Sequence, residues 1–264
     1  MVDYYLIGVD GDTRIDLSDP ESPIRLTVDP EGLDGPPHDP AMQENVNQGG
    51  AFYKGQQDKP NQIKLLYRFG GGIGFDSDEL MEAAITWRRA LGTGRELAEF
   101  HVVDDKGTDR WQWVRNSGSY GGPAPSKLRS AQYVGNGGVT LTSDSSYWES
   151  EAIDVLDPTT VSNGGDFAAW PQWEITGPTT GLKIGVDGEQ IALANIPAGK
   201  VYTIDTDPTL PRIMLDGVDN WASAAGRQSF RKSVPPGETV PVTTIGSADS
   251  VRLVLPQQHW AAIG

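Results

Sequence analysis

A glycine-rich run is the segment of this chain that looks most like a cofactor loop. Residues 70–74 (GGGIG) lie between a predicted strand and a predicted helix, which is where phosphate-binding loops occur. A P-loop continues with Gly-Lys-Ser/Thr, so that the lysine neutralises phosphate charge, whereas an acid, Asp76, stands at the helix start here. The dinucleotide fingerprint also fails, because its last glycine position is Phe75. We predict a flexible strand-to-helix turn and no bound cofactor.

Several aspartates raise the question of a glycosidase. Such an enzyme holds two carboxyl groups about 5–9.5 Å apart, one acting as acid and the other as nucleophile or base. The candidates are Asp104, Asp105, Asp166, Asp205 and Asp207. Asp104 and Asp105 lie at the tip of a predicted hairpin, where we expect them to be exposed and unperturbed. Because the chain has 36 acidic residues, close pairs are expected by chance, and we predict that the protein is not an enzyme.

The three histidines do not suggest a metal site or a catalytic triad. His38, His101 and His259 are far apart in the sequence and show no ligand spacing such as His-x-x-x-His. We expect each of them to be solvated or hydrogen-bonded.

Two further short patterns are more simply explained by structure. Ser229 and Lys232 fit Ser-x-x-Lys, but the companion motifs of that enzyme class are missing. Asp10, Asp12 and Asp16 lack the glycine and the distal glutamate of a calcium loop, so we expect a turn there.

The eight tryptophans carry the strongest alternative to a purely structural role. Exposed aromatic rings can stack on sugar rings, and the candidates for such a site are Trp170, Trp173 and Trp221. Packing in the core is the favoured interpretation, because aromatic side chains are mostly buried. The alternative function is therefore a carbohydrate-binding or host-receptor-binding component.

Composition excludes several classes of protein. The formal net charge is -15, which repels phosphate backbones and disfavours sequence-specific nucleic-acid binding. The absence of cysteine excludes disulfides, thiolate zinc sites and cysteine nucleophiles. No run approaches the roughly 18 apolar residues of a membrane helix, and the N-terminus lacks the features of a secretory signal. We expect no membrane insertion and no signal-directed export.

The first half of the chain predicts strands around one helix. Asp76 or Ser77 is suited to cap the helix, whose apolar face carries Leu80, Ala84, Trp87 and Leu91 and which Gly92 ends. The predicted strands are 4–9 and 13–17 around an Asp-Gly turn, 24–28, 51–53, 62–69, 99–103 paired with 110–114, 132–134 and 139–142. Residues 29–50 are rich in Gly, Pro, Asp and Asn, lack periodicity and are predicted to be a long loop.

The second half predicts a β-sandwich. Short strands are expected at 172–175, 182–186, 190–193, 201–205, 213–215, 240–245 and 251–255. Turns such as Asp187-Gly188, Asp216-Gly217 and Pro236-Gly237 separate them, and no helix is predicted there. Residues 150–160 contain Asp157-Pro158, which breaks regular structure, so we place the boundary between two domains, 1–152 and 153–264, in this segment.

The order of these elements and motifs resembles the distal tail protein (Dit) family of siphophages. The first half has that family's hairpin, long connection, capped helix, second hairpin and closing aromatic pair, Tyr147-Trp148. In the second half, residues 163–166 (NGGD) followed by 170–177 (WPQWEITG) are similar to the family's entry into its C-terminal sandwich. Residues 202–206 (YTIDT) and 234–237 (VPPG) match later motifs, although Glu238-Thr239 replaces the usual Asn region. The alternative is an unrelated β-sandwich protein.

The resemblance implies a mostly β, two-domain fold and a structural role. The first domain would be a tail-tube-like β-sandwich with one flanking helix, and the second a galectin-like β-sandwich. Within the resemblance, Asp205 would cap a turn. The protein would form a homohexameric ring at the virion tail tip after synthesis in the host cytoplasm. Its partners would be the tail tube protein, the tail-associated hub protein and the tape measure protein, and DNA would pass through the lumen.

The long connection of residues 29–50 carries a separate hypothesis. Its length and its lack of periodicity suggest that a neighbouring subunit orders it in the ring.

Overall fold

The computed structural model describes residues 2–45, 48–70, 75–118, 135–226 and 228–264. The chain divides into two compact units. The first comprises Met1–Trp148 together with Trp260–Gly264, and the second comprises Glu149–His259. The predicted domain boundary, between residues 152 and 153, lies inside a strand, Trp148–Leu156, and the last five residues pack with the first unit.

The first unit is built on an antiparallel sheet of seven strands. These are β1 (Asp3–Ile7), β2 (Arg14–Asp16), β3 (Ile24–Leu26), β6 (Gln62–Phe69), β7 (Ala98–Val103), β8 (Asp109–Asn116) and β9 (Gly135–Ser143). Their order is β2-β1-β7-β8-β9-β6-β3. The two edges meet, because the N–H of Leu26, the last residue of β3, donates to the carbonyl of Leu17, which follows β2, at 2.9 Å.

Alternation of apolar side chains sets the core face of this sheet. In β6, Ile63, Leu65, Tyr67 and Phe69 point inward while the residues between them point outward. Trp87 and Trp148 are fully buried in the same core, which also includes Phe100. The hairpins predicted at the N-terminus and at residues 99–114 are confirmed by the pairing of β1 with β2 and of β7 with β8.

The predicted helix is confirmed as α1 (Ser77–Ala90). Asp76 is its N-cap, and its carboxylate accepts the backbone N–H groups of Asp78 and Glu79 at 2.8 and 2.9 Å. Glu79 reaches back to the N–H of Asp76 at 2.9 Å, which completes a capping box. Gly92 has a φ of +61°, the left-handed conformation in which glycine ends helices without strain.

The predicted long loop at residues 29–50 is wrong in its second part. It contains a strand, β4 (His38–Asn45), which pairs with β5 (Gln48–Asp58) in a separate two-stranded antiparallel sheet. We call β4 and β5 together the arm. Every residue of β4 is exposed, so neither face imposes the alternation by which a strand is recognised in a sequence.

The second unit has two antiparallel sheets that share one core. One sheet has the order β17-β16-β15-β12-β19-β10 and the other β11-β18-β13-β14. The strands are β10 (Trp148–Leu156), β11 (Thr160–Ser162), β12 (Gln172–Thr176), β13 (Thr180–Val186), β14 (Ile191–Ala192), β15 (Val201–Asp205), β16 (Arg212–Leu215), β17 (Val218–Asp219), β18 (Thr239–Ser247) and β19 (Ser250–His259). Trp173, Ile175 and Leu253 lie in the core between the sheets. All seven strands predicted for this half are present.

Tight turns of the second unit follow the predicted dipeptides. Asp187 and Gly188 have φ of 51° and 80°, and Asp216 and Gly217 have φ of 47° and 81°. Positive φ at both central positions defines the turn whose twist matches paired strands.

Four elements of the second unit were not predicted. Strand β10 occupies the segment assigned to the domain boundary, and the short strands β11 and β17 were also missed. A short helix, α2 (Trp221–Ala224), follows β17. The predicted strand at 132–134, most of the stretch 117–125 and residues 71–74 of the glycine-rich run lie outside the described residues.

Candidate functional site

The arm is fixed to the first unit at its base. The N–H of Lys59 donates to the carbonyl of Pro37 at 2.8 Å, and its ammonium lies 2.5 Å from a carboxylate oxygen of Asp39. The hydroxyl of Tyr147 donates to Asp58 at 2.7 Å. Burial, together with the Asp58 carboxylate, raises the pKa of Tyr147 to about 12. The base of the arm is therefore held on both strands.

Beyond its base the arm exposes apolar side chains on both faces. Met42 lies opposite Tyr53 in the register and Gln43 lies opposite Phe52, so Phe52 is on the other face. Met42 is 55% exposed, Phe52 50% and Tyr53 60%. An isolated two-stranded hairpin is only marginally stable in water, so the apolar residues of the arm form a candidate contact surface for another protein.

A polar and aromatic cluster lies on the outer face of the first unit's sheet. Nδ1 of His101 is 3.0 Å from Asp109 Oδ1, and Nε2 is 3.0 Å from Glu99 Oε2. The hydroxyl of Tyr5 donates to Asp109 at 2.5 Å, and the Tyr5 ring stacks on His101 with centroids 4.2 Å apart. Burial and then the hydrogen bond to Asp109 raise the pKa of Tyr5. His101 is thus engaged at both ring nitrogens, as expected for a hydrogen-bonded histidine.

The other two histidines have different surroundings. His38 lies exposed at the start of the arm, whereas His259 is buried and its Nε2 is 2.9 Å from the hydroxyl of Ser150. Within the described ranges, no three histidine, aspartate or glutamate side chains are placed to hold one metal ion. No helix among the described residues is long and apolar enough to cross a membrane.

The prediction for Asp104 is wrong, and the reason is local. Asp104 is 7% exposed, and its carboxylate accepts the backbone N–H groups of Lys106 and Thr108 at 2.8 Å each. The hydrogen bond from Thr108 is the main cause that lowers the pKa of Asp104, since it favours the ionised form. Asp105 beside it is exposed. Asp104 therefore shapes the β7–β8 turn.

The remaining short patterns serve the fold. Asp10 accepts the N–H groups of Asp12 and Thr13 and the hydroxyl of Thr13, which confirms the predicted turn. The ammonium of Lys232 lies 2.8 Å from Asp187 in an exposed ion pair. It is therefore not directed at Ser229.

The predicted entry motif of the second unit makes a compact turn. The side-chain amide of buried Asn163 donates to the carbonyls of Phe167 and Val234 at 2.7 and 2.9 Å, and its Oδ1 accepts the N–H of Gly165. A Cβ at Gly165 would lie 2.6 Å from the carbonyl oxygen of Gln258. Only glycine fits there, and the turn leads the chain into Trp170 and β12.

The three candidate tryptophans have three different environments. Trp173 is 2% exposed in the core of the second unit, out of reach of a ligand. Trp221 is partly buried and packs against that core. Trp170 is also half-buried, but it lines a small cleft. The structure thus leaves one of the three tryptophans at a concave surface.

The cleft at Trp170 lies entirely within the second unit and has a volume of about 80 Å³. Its aromatic walls are Trp170 and Phe167, and its polar side chains come from Gln172, Gln258, Asp205 and Asp207. Asp205 accepts the N–H of Asp207 at 3.0 Å, which confirms its turn-capping role. The amides of Gln172 and Gln258 were not singled out in the sequence. Their outward position in β12 and β19, on alternate residues, is the signal that could have identified them.

The chain resembles known proteins in its three-dimensional structure. No family model and no curated protein matches the sequence. The crystal structure of the SPP1 Dit protein, described as a paradigm of the hub adsorption apparatus in phages infecting Gram-positive bacteria, matches with a TM-score of 0.65 and 10% identity. The match covers 97% of this chain and 98% of that chain. The chain has the Dit fold.

Two further solved structures match over the same extent. They are structures of the phage p2 baseplate in its activated conformation, one with Sr and one with Ca. Their chains give TM-scores of 0.60 and 0.59 at 8% identity, and each match covers 97% of this chain and 98% of that chain. The mostly β architecture expected from the sequence is therefore confirmed at the level of the Dit fold.

Proposed function

We propose that this chain is a structural protein of a siphophage tail tip, which forms a homohexameric ring at the distal end of the tail. The ring joins the tail tube protein to the tail-associated hub protein, next to the tape measure protein, and DNA passes through it. The observation that carries the proposal is the match of almost the whole chain to proteins of a phage adsorption apparatus and baseplate. Since a fold by itself does not fix a function, a surface of this chain must supply the contacts.

The arm is the surface that fits a contact between subunits. Its base is anchored by Lys59 and Tyr147, while Met42, Phe52 and Tyr53 project apolar surface that its own unit does not cover. An exposed apolar hairpin of this kind is stabilised when a second protein covers it. In the proposed ring, a neighbouring copy of the chain provides that cover. The sequence suggested that a neighbouring subunit orders an irregular connection at residues 29–50. Because β4 and β5 are already paired within one chain, we propose instead that the neighbour covers a preformed strand pair.

The charge of the chain supports passage of DNA rather than its retention. A net charge of -15 per chain repels the phosphate backbone, and a ring multiplies that charge. We propose that acidic side chains line the lumen, so that the duplex slides through without forming ion pairs. A galectin-like second domain would then project from the ring.

The first experiment measures the mass of the purified protein by light scattering, with negative-stain images of the same fraction. We expect particles of six chain masses with an open centre. A particle of one chain mass at every concentration, with no cross-links between chains, would count against the ring.

A variant of the arm tests the contact directly. Met42→Asp combined with Tyr53→Asp places charge on the exposed apolar surface, so we expect loss of the ring while the far-UV spectrum of the monomer is unchanged. Val218→Asp is the matched control, because Val218 is 69% exposed and lies in the second unit. Rings of normal mass from the arm variant would refute the role of the arm.

A further inference from the structure

The cleft at Trp170 places an aromatic ring beside polar residues at the surface of the second unit. Asp205 and Asp207 also accept hydrogen bonds within their own turn, from Asp207 and Thr209 respectively. The aromatic ring of Trp170 is half-buried but does not belong to the core cluster that contains Trp173 and against which Trp221 packs. It stands in the cleft beside two carboxylates, Asp205 and Asp207.

Hydrogen bonds hold the two sides of this cleft in place before any ligand arrives. The backbone of Ala169 pairs with Val234 through N–H to carbonyl bonds of 2.9 and 2.8 Å, which fixes the residue before Trp170. On the opposite side, the buried hydroxyl of Thr206 donates to the carbonyl of Pro171 at 2.7 Å. This bond ties the segment that carries both aspartates to the segment that carries Trp170. A preformed site loses little conformational freedom on binding.

The polar groups of the cleft determine which class of ligand it can bind. Carboxylates accept hydrogen bonds, whereas the amides of Gln172 and Gln258 both donate and accept them. Gln172 donates to Asp205 at 3.3 Å, a long contact that a ligand hydroxyl can replace. No basic side chain lies among the described residues that line the cleft. Anionic ligands are therefore repelled, and ligands with several hydroxyl groups are favoured.

We propose that this cleft binds a terminal saccharide that is neutral or carries an amino group. The apolar face of the sugar ring would stack on Trp170, while its hydroxyls donate to Asp205 and Asp207. A volume of about 80 Å³ takes one edge of a single ring, so one site contacts only part of a sugar. If the proposed ring forms, several copies of the site act together, and multivalency strengthens adsorption. That last step rests on the proposed function, whereas binding by one chain does not.

The experiment titrates the 264-residue protein with defined sugars and with choline. Binding is measured by saturation-transfer NMR and by tryptophan fluorescence. The neutral and amino probes are the methyl glycosides of galactose and glucose, N-acetylglucosamine and glucosamine. The anionic probes are glucuronic acid and N-acetylneuraminic acid, and choline serves as a cation without hydroxyl-rich character. We expect at least one neutral or amino sugar to bind and both anionic sugars to fail at the same concentrations.

Matched variants locate the site. We expect Trp170→Ala to weaken binding at least about tenfold and Trp170→Phe to retain part of it, because phenylalanine keeps an aromatic face. Asp207→Asn should also weaken binding, and it serves as the second variant if Trp170→Ala folds poorly. Trp113→Ala is the control, since Trp113 is a 39% exposed tryptophan in the first unit. The proposal is overturned if no sugar binds, if only choline binds, or if binding is unchanged in both Trp170→Ala and Asp207→Asn.

Discussion

His101 lies on the outer face of β7 with a carboxylate beside each ring nitrogen and an aromatic ring on each side. Tyr5 stacks on it from β1 and Trp111 from β8, with ring centroids at 4.2 and 5.5 Å. Its side chain is 6% exposed, whereas those of Glu99 and Asp109 are 23% and 36% exposed. The cluster therefore joins three neighbouring strands through one buried polar side chain.

Replacing His101 by alanine should destabilise the first unit. We expect a loss of about 2–3 kcal/mol in the free energy of unfolding, from hydrogen bonds to charged groups and from ring stacking, reduced because the carboxylates are partly exposed. Denaturation by urea measures the loss. His38→Ala is the matched control and should change the free energy by less than about 0.5 kcal/mol, because His38 is exposed. Equal effects of the two variants would contradict this assignment.

At the scale of elements, α1 buries its apolar side chains within its own unit, whereas the arm leaves its apolar side chains exposed. The helix has a capping box and buries Leu80, Ala84 and Trp87 in the core of its own unit. The arm has its strand pairing and the contacts at its base, and it leaves apolar side chains in solvent. The helix is therefore complete in one chain, whereas the arm is suited to contact with another.

The capping box supplies a prediction for the helix. Asp76→Ala removes the acceptor of two backbone N–H groups, so we expect a loss of about 1 kcal/mol in the free energy of unfolding. Asp78→Ala keeps the cap and removes only a first-turn charge, and it should cost less than about 0.5 kcal/mol. Thermal unfolding of the two variants side by side measures the difference. An effect of Asp78→Ala as large as that of Asp76→Ala would mean that helix-dipole charge outweighs capping.

At the scale of the whole molecule, the excess of acidic residues acts against assembly. Lys and Arg number 21 against 36 Asp and Glu, so identical chains repel one another. The apolar surface of the arm has to overcome that repulsion in the proposed ring.

Salt should therefore strengthen the ring. Raising the ionic strength from about 0.05 to about 0.5 M shortens the screening length from above to below 10 Å, so repulsion falls while apolar contact is retained. Sedimentation velocity should show a larger fraction of rings at high salt. Dissociation of rings by salt would instead indicate an interface held by ion pairs, and the exposed pair of Lys232 with Asp187 shows that such pairs form on this chain.

Much of the fold could be predicted because local chemistry specified it. The apolar periodicity of residues 80–91 with Asp76 before them specifies α1, and alternation in β6 specifies its core face. Asp187-Gly188 and Asp216-Gly217 specify turns, since aspartate and glycine adopt positive φ at low cost. The order of these elements was enough to indicate the Dit fold, although the identity to the SPP1 protein is 10%.

Features that depend on contacts between residues far apart in the sequence could not be predicted. Trp170 and Trp173 are three positions apart in the sequence, yet Trp173 fills the core and Trp170 lines the cleft, because only the packed sheets decide which surface is covered. In the arm only residues 51–53 of β5 were predicted as a strand, and β4 was missed because all of its residues are exposed. The environment of Asp104 was missed because it depends on hydrogen bonds from backbone N–H groups of its own turn. The sequence by itself determined α1, most of the strands, the Asp-Gly turns and the net charge. The tertiary structure decided which side chains are exposed and available to bind another molecule, since burial depends on residues that are distant in the chain.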